Sequence, residues 1–150
     1  MRVAIACDHA GLPIKSAVIE AVKNEGHDPV DLGTSSEARV DYPDFAERAG
    51  MAIINKDADR GILICGSGIG MCITANKMKG IYAGICHDTY SAHQSVEHDQ
   101  MNVLCLGGQI IGPELAKELV ITFLRANVWE SERHQNRINK YKKIEARFFK

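Results

Sequence analysis

A single α/β domain with a five-stranded parallel sheet and helices on both faces is the fold class this sequence predicts. Two observations carry that expectation. Five short, mostly apolar runs recur along the chain, and stretches with helical apolar spacing separate them. A length of 150 residues allows one domain with a sizeable core and calls for no second one. Strand–helix alternation of this kind builds a parallel sheet that must be covered on both sides.

The elements follow in order. Residues 3–7 are apolar throughout and read as the first strand. Residues 12–25 place Ile14, Ala17, Val18, Ala21 and Val22 at helical intervals, with Gly26 as the C-terminal stop. A brief strand at 29–32 leads into a polar loop, 33–41, and Pro43 opens a helix to about residue 56. Residues 61–65 form the third strand, followed by a glycine-rich turn, 66–70, within which a helix begins and runs to about 78. The fourth strand falls at 81–86, a helix at 89–97, and the fifth strand at 103–106. Helices at 113–126 and 132–149 complete the chain, the last polar and basic. No internal repeat, low-complexity tract or linker interrupts residues 1–150.

Composition narrows the function. Hydrophobic residues make up 45% and charged residues 25%, with a formal net charge of -1. Nucleic-acid binding needs a basic face to displace counterions, so the charge gives no case for it. No apolar run is long enough for a membrane-crossing helix, and the first residues enter a strand without the pattern of a secretory leader. Five cysteines form an odd set with no C-x-x-C pair, which argues against a disulfide framework and for a reducing, cytoplasmic setting. Most lie in apolar runs, where cysteine packs as a small hydrophobe.

In such sheets ligands gather beyond the carboxyl ends of the strands. That directs attention to Asp8-His9, the turn after Cys65, His87-Asp88 and residues 106–111. The richest segment is Cys65-Gly66-Ser67-Gly68-Ile69-Gly70. A cysteine at a strand end, facing a glycine turn that opens a helix, meets backbone N–H groups and a helix dipole that favour negative charge. The same field predicts a thiol that ionises readily. The plain alternative is a core cysteine beside a tight turn.

The turn also invites a dinucleotide reading, but G-x-G-x-x-G fails at Met71 and follows the third strand rather than the first. No Gly-Lys-Ser/Thr follows, which excludes a Walker P-loop. His87, Asp88, His93 and His98 raise a metal reading, yet His93 and His98 are five apart and do not share a helical face. Taken singly, each is as well read as a satisfied polar histidine. Arg133 and Arg137, four apart on the terminal helix, can converge on one anion or simply form part of a solvated basic face with Lys140, Lys142 and Lys143. Tyr42 covers a sugar or packs on the domain.

Together these segments resemble the type B ribose-5-phosphate isomerases and the related galactose-6-phosphate isomerase subunits. The resemblance lies in Ala6-Cys7-Asp8-His9-Ala10-Gly11, Asp31-Leu32-Gly33-Thr34, Asp41-Tyr42-Pro43 and Ile64-Cys65-Gly66-Ser67-Gly68-Ile69-Gly70. It continues through Ala75-Asn76-Lys77, Asn102-Val103-Leu104 and Arg133-His134-Gln135, in the family's order over almost the whole chain. It implies a Rossmann-like three-layer sandwich with a C-terminal helix, no cofactor and no metal. It also implies a homodimer or homotetramer whose active sites are built from two subunits and take a phosphorylated sugar. Cys65 then matches the base, Gly66, Ser67, Gly68, Ile69 and Gly70 the loop holding the enediolate, and His98 the acid that opens the ring. Asp8, His9 and Tyr42 match substrate-binding positions, and Arg133 and Arg137 match phosphate ligands.

Two positions depart from the pattern. Asp99 stands where asparagine is usual after the ring-opening histidine, and Gln109 where an arginine is common. A carboxylate cannot donate as an amide does, and Gln109 removes a positive charge from the phosphate site. Ser67 replaces a usual threonine and keeps the hydroxyl. The departures point to another aldose phosphate, or to a phosphosugar-binding protein without catalysis, as alternatives.

Overall fold

The computed structural model describes residues 1–149. Its five strands are β1 (Arg2–Cys7), β2 (Asp28–Asp31), β3 (Arg60–Cys65), β4 (Ala83–Ile85) and β5 (Val103–Gly107). All pair in parallel, in the order β2-β1-β3-β5-β4. The helices are α1 (Leu12–Asn24), α2 (Tyr42–Ile54), α3 (Ile69–Ala75), α4 (Thr89–Asp99), α5 (Pro113–Arg125) and α6 (Glu132–Phe148).

Successive strand residues point to opposite faces, and both faces are buried, which is why these strands are apolar throughout rather than alternating. Val3, Ile5, Cys7, Ile62, Ile64, Leu104 and Leu106 pack under α1, α4 and α5. Ala4, Ala6, Leu63, Cys65, Val103 and Cys105 pack under α2 and α3 with Phe45, Ala49, Met71 and Ala75. Gly26 ends α1 in the left-handed conformation at φ 80°, and the N–H of His27 returns to the carbonyl of Val22.

Two elements are shorter than their apolar patterns predict. α3 stops at Ala75 and β4 begins at Ala83, because side chains hold the segment between them. The Asn76 amide donates to the Ala83 carbonyl at 2.9 Å and accepts from its N–H at 2.9 Å. Asn102 does the same for Tyr82 N–H (2.8 Å) and the Gly80 carbonyl (2.9 Å). The two asparagines satisfy main-chain groups that a longer strand would have paired, and Asn76 does so on an edge strand.

The strand order reverses direction between β1 and β3. Chains leaving these adjacent strands turn to opposite faces, α1 to one and α3 to the other, which opens a crevice at their carboxyl ends. Asp8 and Cys65-Gly66 stand on its two sides.

Candidate active site

The crevice is a cavity of about 520 Å³ lined by Asp8, Tyr42, Cys65, Gly66, Ser67, Ile69, Gly70, Ile73, Gln109 and Ile110. Cys65, the last residue of β3, is 5% exposed, and that exposure opens into this cavity. The turn behind it is shaped by Gly68, held at φ 83°, which costs an L side chain but not glycine. In that conformation the Gly68 N–H donates to Cys65 Sγ at 3.1 Å. The sulfur therefore faces a backbone donor at the start of α3.

The other cysteines differ. Cys7 is sealed in the core, bonded to the Thr34 carbonyl, and burial pushes its thiol up to about 11. Cys105 is raised well above the usual range by its bond with Cys72 and by burial, whereas the same bond pulls Cys72 down to about 7. All five are free thiols.

Hydrogen bonds lock the walls. Asp8 is buried, and its Oδ1 accepts from the N–H groups of Ala10 (2.9 Å) and Gly11 (3.0 Å). Its second oxygen has no bond among the described residues. The loop after β5 is stitched to the turn after β3 through Gly108 N–H to the Cys65 carbonyl (2.8 Å) and Gln109 N–H to the Gly66 carbonyl (3.0 Å). Backbones also meet without intervening side chains. A Cβ on Gly11 would lie 2.3 Å from the Ile64 carbonyl oxygen, and one on Gly108 2.7 Å from that of Ala10. Ser67 Oγ accepts from Ile69 N–H at 3.2 Å. The Tyr42 ring lies against Gly70 at the start of α3 and is 40% exposed.

Eight of the expected site residues thus share one cavity, with Gly68 directly behind them. His9 does not join them. It lines a neighbouring cavity with Leu12, Pro13 and Glu37, and its Nδ1 accepts from Val40 N–H at 3.3 Å. His98, Asp99, Arg133 and Arg137 lie at the other end of the sheet. His98 and Asp99 close α4 just ahead of β5, whose Val103 pairs with Gly61, whereas Cys65 pairs with Gly107. Four strand intervals, about 13 Å, separate those two levels. His98 packs there against His134 (4.3 Å between centroids) and Trp129 (4.6 Å), which brings the α6 arginines beside it. In a single chain the cavity therefore has one carboxylate and no cation in its lining.

Among the described residues no group of three or more His, Cys, Asp or Glu is placed to hold an ion. His87 Nε2 accepts from Gly107 N–H at 2.9 Å, and His93 pairs with Glu97 at 3.0 Å. Asp88 caps α4 through Ser91 N–H (2.7 Å) instead of waiting for a ribose. Ile73 and Ile110, 58% and 62% exposed, also line the cavity; Ile110 lies in the segment 106–111 singled out by its place after the fifth strand, whereas Ile73 was not expected there. Ile69 and Ile73 carried a signal: they lie four apart on a helix whose Met71 and Ala75 fill the core, so α3 is apolar on two faces.

Comparison with known proteins agrees with this architecture. Residues 3–141 match the family model described as Ribose/Galactose Isomerase. Ribose-5-phosphate isomerase B of Escherichia coli is 40% identical over 97% of both chains. D-erythrulose-4-phosphate isomerase of Pectobacterium atrosepticum is 41% identical over 84% of both. The structure of ribose-5-phosphate isomerase B from Clostridium thermocellum superposes with a TM-score of 0.93 at 38% identity, over 99% of both chains. By sequence and by fold, the chain belongs to the ribose/galactose isomerase family.

Proposed function

We propose that the protein interconverts ribose 5-phosphate and ribulose 5-phosphate through an enediolate, with Cys65 as the base. One observation carries this reading: the sulfur stands at the floor of an open cleft with a backbone N–H directed at it. Thiolate Cys65 takes the proton from C2 of the open-chain aldose. The C–H electron pair becomes the C1–C2 double bond, and negative charge moves to O1. Backbone N–H groups of the Gly66, Ser67, Gly68, Ile69, Gly70 turn hold that charge in place, with Ser67 Oγ beside them. A proton passes from O2 to O1, and the sulfur returns its own proton to C1. Asp8 and Tyr42 bind hydroxyls, and Gln109 borders the chain's far end.

The cleft's lack of a cation supports a site completed by a second copy. That copy supplies His98 to open the furanose ring, Asp99 beside it, and Arg133 and Arg137 to hold the phosphate, in a homodimer or a pair of dimers. His9 joins from the adjoining cavity. Five free thiols suit a cytoplasmic enzyme, and among the described residues no helix is long and apolar enough to cross a membrane. Gln109 and Asp99, together with the relative named for erythrulose 4-phosphate, favour one second reading: the same chemistry on another aldose phosphate.

Cys65→Ala and His98→Ala should each abolish turnover of ribose 5-phosphate. Mixing and reassorting the two inactive proteins should restore about a quarter of the activity, since half the dimers then carry one intact site of two. No recovery on mixing would refute the shared site, and full turnover by Cys65→Ala would refute the base. Turnover across aldose phosphates of four to six carbons decides the substrate; no solvent-deuterium exchange at C2 with any of them would leave only a binding protein.

A further inference from the structure

The group that sets the protonation pattern of His98 is visible on its own helix. Gln94 lies one turn before His98, four residues away, so the two share a face of α4. The Gln94 side-chain nitrogen sits 2.8 Å from His98 Nδ1, the only hydrogen bond of that imidazole among the described residues. With its NH2 turned to the ring, the amide donates and cannot accept, which leaves Nδ1 bare. In a neutral ring the proton is then on Nε2.

The rest of the surroundings keep the ring in this pose without competing for Nδ1. His134, 2% exposed, stacks on one side, and Trp129 meets an edge. Trp129 is held by its N–H to the Glu97 carbonyl (2.8 Å), and the Gln135 amide donates to the Trp129 carbonyl (2.9 Å). The charged groups acting on the neighbouring His134 are Arg133 and Arg137 from α6 and Asp99 from α4, while the Glu97 carboxylate is taken up by His93. Burial first, and then the positive field of Arg133 and Arg137, holds the His134 imidazole below its usual range, so it adds no charge of its own near neutral pH.

We infer that Gln94 is a positioning residue that assigns the His98 proton to Nε2, so that the imidazole meets a sugar as a hydrogen-bond donor at that nitrogen. Its use rests on the isomerase reading above. Opening a furanose builds negative charge on the ring oxygen, and a neutral imidazole N–H in a fixed direction stabilises it, as a bare nitrogen would not. A leucine at position 94 would fill the space but leave Nδ1 free to take the proton. A glutamate there would accept from Nδ1–H and draw the proton to the wrong nitrogen.

The test is the nitrogen spectrum of histidine-labelled protein at neutral pH, with the His98 signals assigned by their loss in His98→Gln. Wild type should show a protonated Nε2 and a bare Nδ1, Gln94→Leu a mixture, and Gln94→Glu the proton on Nδ1. In parallel, ribose 5-phosphate turnover should fall about tenfold in both variants, part of the roughly 10²–10⁴ that an acid–base group supplies. Turnover of the open-chain ketose should stay unchanged. A protonated Nδ1 in wild type, or an unaltered tautomer in Gln94→Leu, overturns the assignment. Equal loss on cyclic and open-chain substrates overturns the positioning role. A protein that isomerises no sugar phosphate defeats the functional reading instead, and the spectra still decide on Gln94.

Discussion

Gly68→Ala separates the conformational role of the turn from its chemical role. A side chain at φ 83° costs about 1–2 kcal/mol on its own. The new Cβ would also lie 3.1 Å from the carbonyl carbon of Leu106 and 3.2 Å from its oxygen. Those atoms belong to the interior strand β5, bonded to both neighbours, so the turn must move rather than the sheet. Overpacking of this kind adds about 1–2 kcal/mol. For a chain of this length the sum, about 2–4 kcal/mol, lowers the melting temperature by roughly 5–10 °C. Moving the turn also draws the Gly68 N–H away from Cys65 Sγ, and losing a hydrogen bond to a charged sulfur, about 1.5–3 kcal/mol, should cost about 10–10² in kcat. Gly26→Ala is the matched control: its φ is 80°, but nothing lies within 4 Å of the added Cβ, at the far end of α1. It should lose about 1–2 kcal/mol and keep wild-type turnover. Thermal melts and steady-state isomerase rates on both variants check this. Equal stability loss in the two, or full turnover by Gly68→Ala, would show that the turn is not held by the contact and donor described.

Two further outcomes concern stability. Arg60 donates to the carbonyls of Phe123 (2.7 Å) and Ala126 (2.8 Å), closing the end of α5, so Arg60→Met should lower the unfolding free energy by about 1.5–3 kcal/mol, read as a fall of the urea midpoint equal to that loss divided by an unchanged m-value; no change would mean water replaces it freely. The second is a pH effect. His87 must be bare at Nε2 to accept from Gly107, and burial holds its imidazole below the usual 6.5. The unfolded chain therefore binds this proton more readily, so its contribution is complete above about pH 6.5 and is lost as pH falls through the lowered folded value. His134 acts in the same direction. Denaturation midpoints should drop from pH 7.5 to 5.5, and less so in His87→Gln; a maximum at 5.5 would contradict the sign.

Much of this was readable from residue order. Interior strands buried on both faces appear as unbroken apolar runs, which is why 3–7, 61–65 and 103–106 land within a residue of β1, β3 and β5. The short edge strand β4 is less legible, since its start depends on side-chain bonds from Asn76 and Asn102 that no periodicity reveals, whereas 29–32 lands within a residue of β2. The cleft followed from Cys65 and its glycines, because a strand end opening a helix has only one geometry. The distance between Cys65 and His98 was implicit as well: a residue just ahead of a parallel strand lies at its amino end. What spacing does not disclose is choice among permitted contacts. Gln94 and His98 can meet at i, i+4, as can many pairs, and Ile110 reaches the cleft only because the loop after β5 folds back on Gly66.

If the cleft takes a sugar phosphate as proposed, the backbone-on-backbone contacts at Gly11 and Gly108 have a consequence for how substrate preference is tuned. Three connecting segments are clamped together under the reacting carbons, leaving that platform no slack to widen for a longer sugar or shrink for a shorter one. Preference among four-, five- and six-carbon chains has to be adjusted above it, at Tyr42, Ile73, Gln109 and Ile110, where side chains can be exchanged without disturbing the sulfur below. On the proposed reading, a fixed floor under an editable rim accounts for relatives named for ribose and erythrulose phosphates that are each about as similar to this chain, 40% and 41% identical.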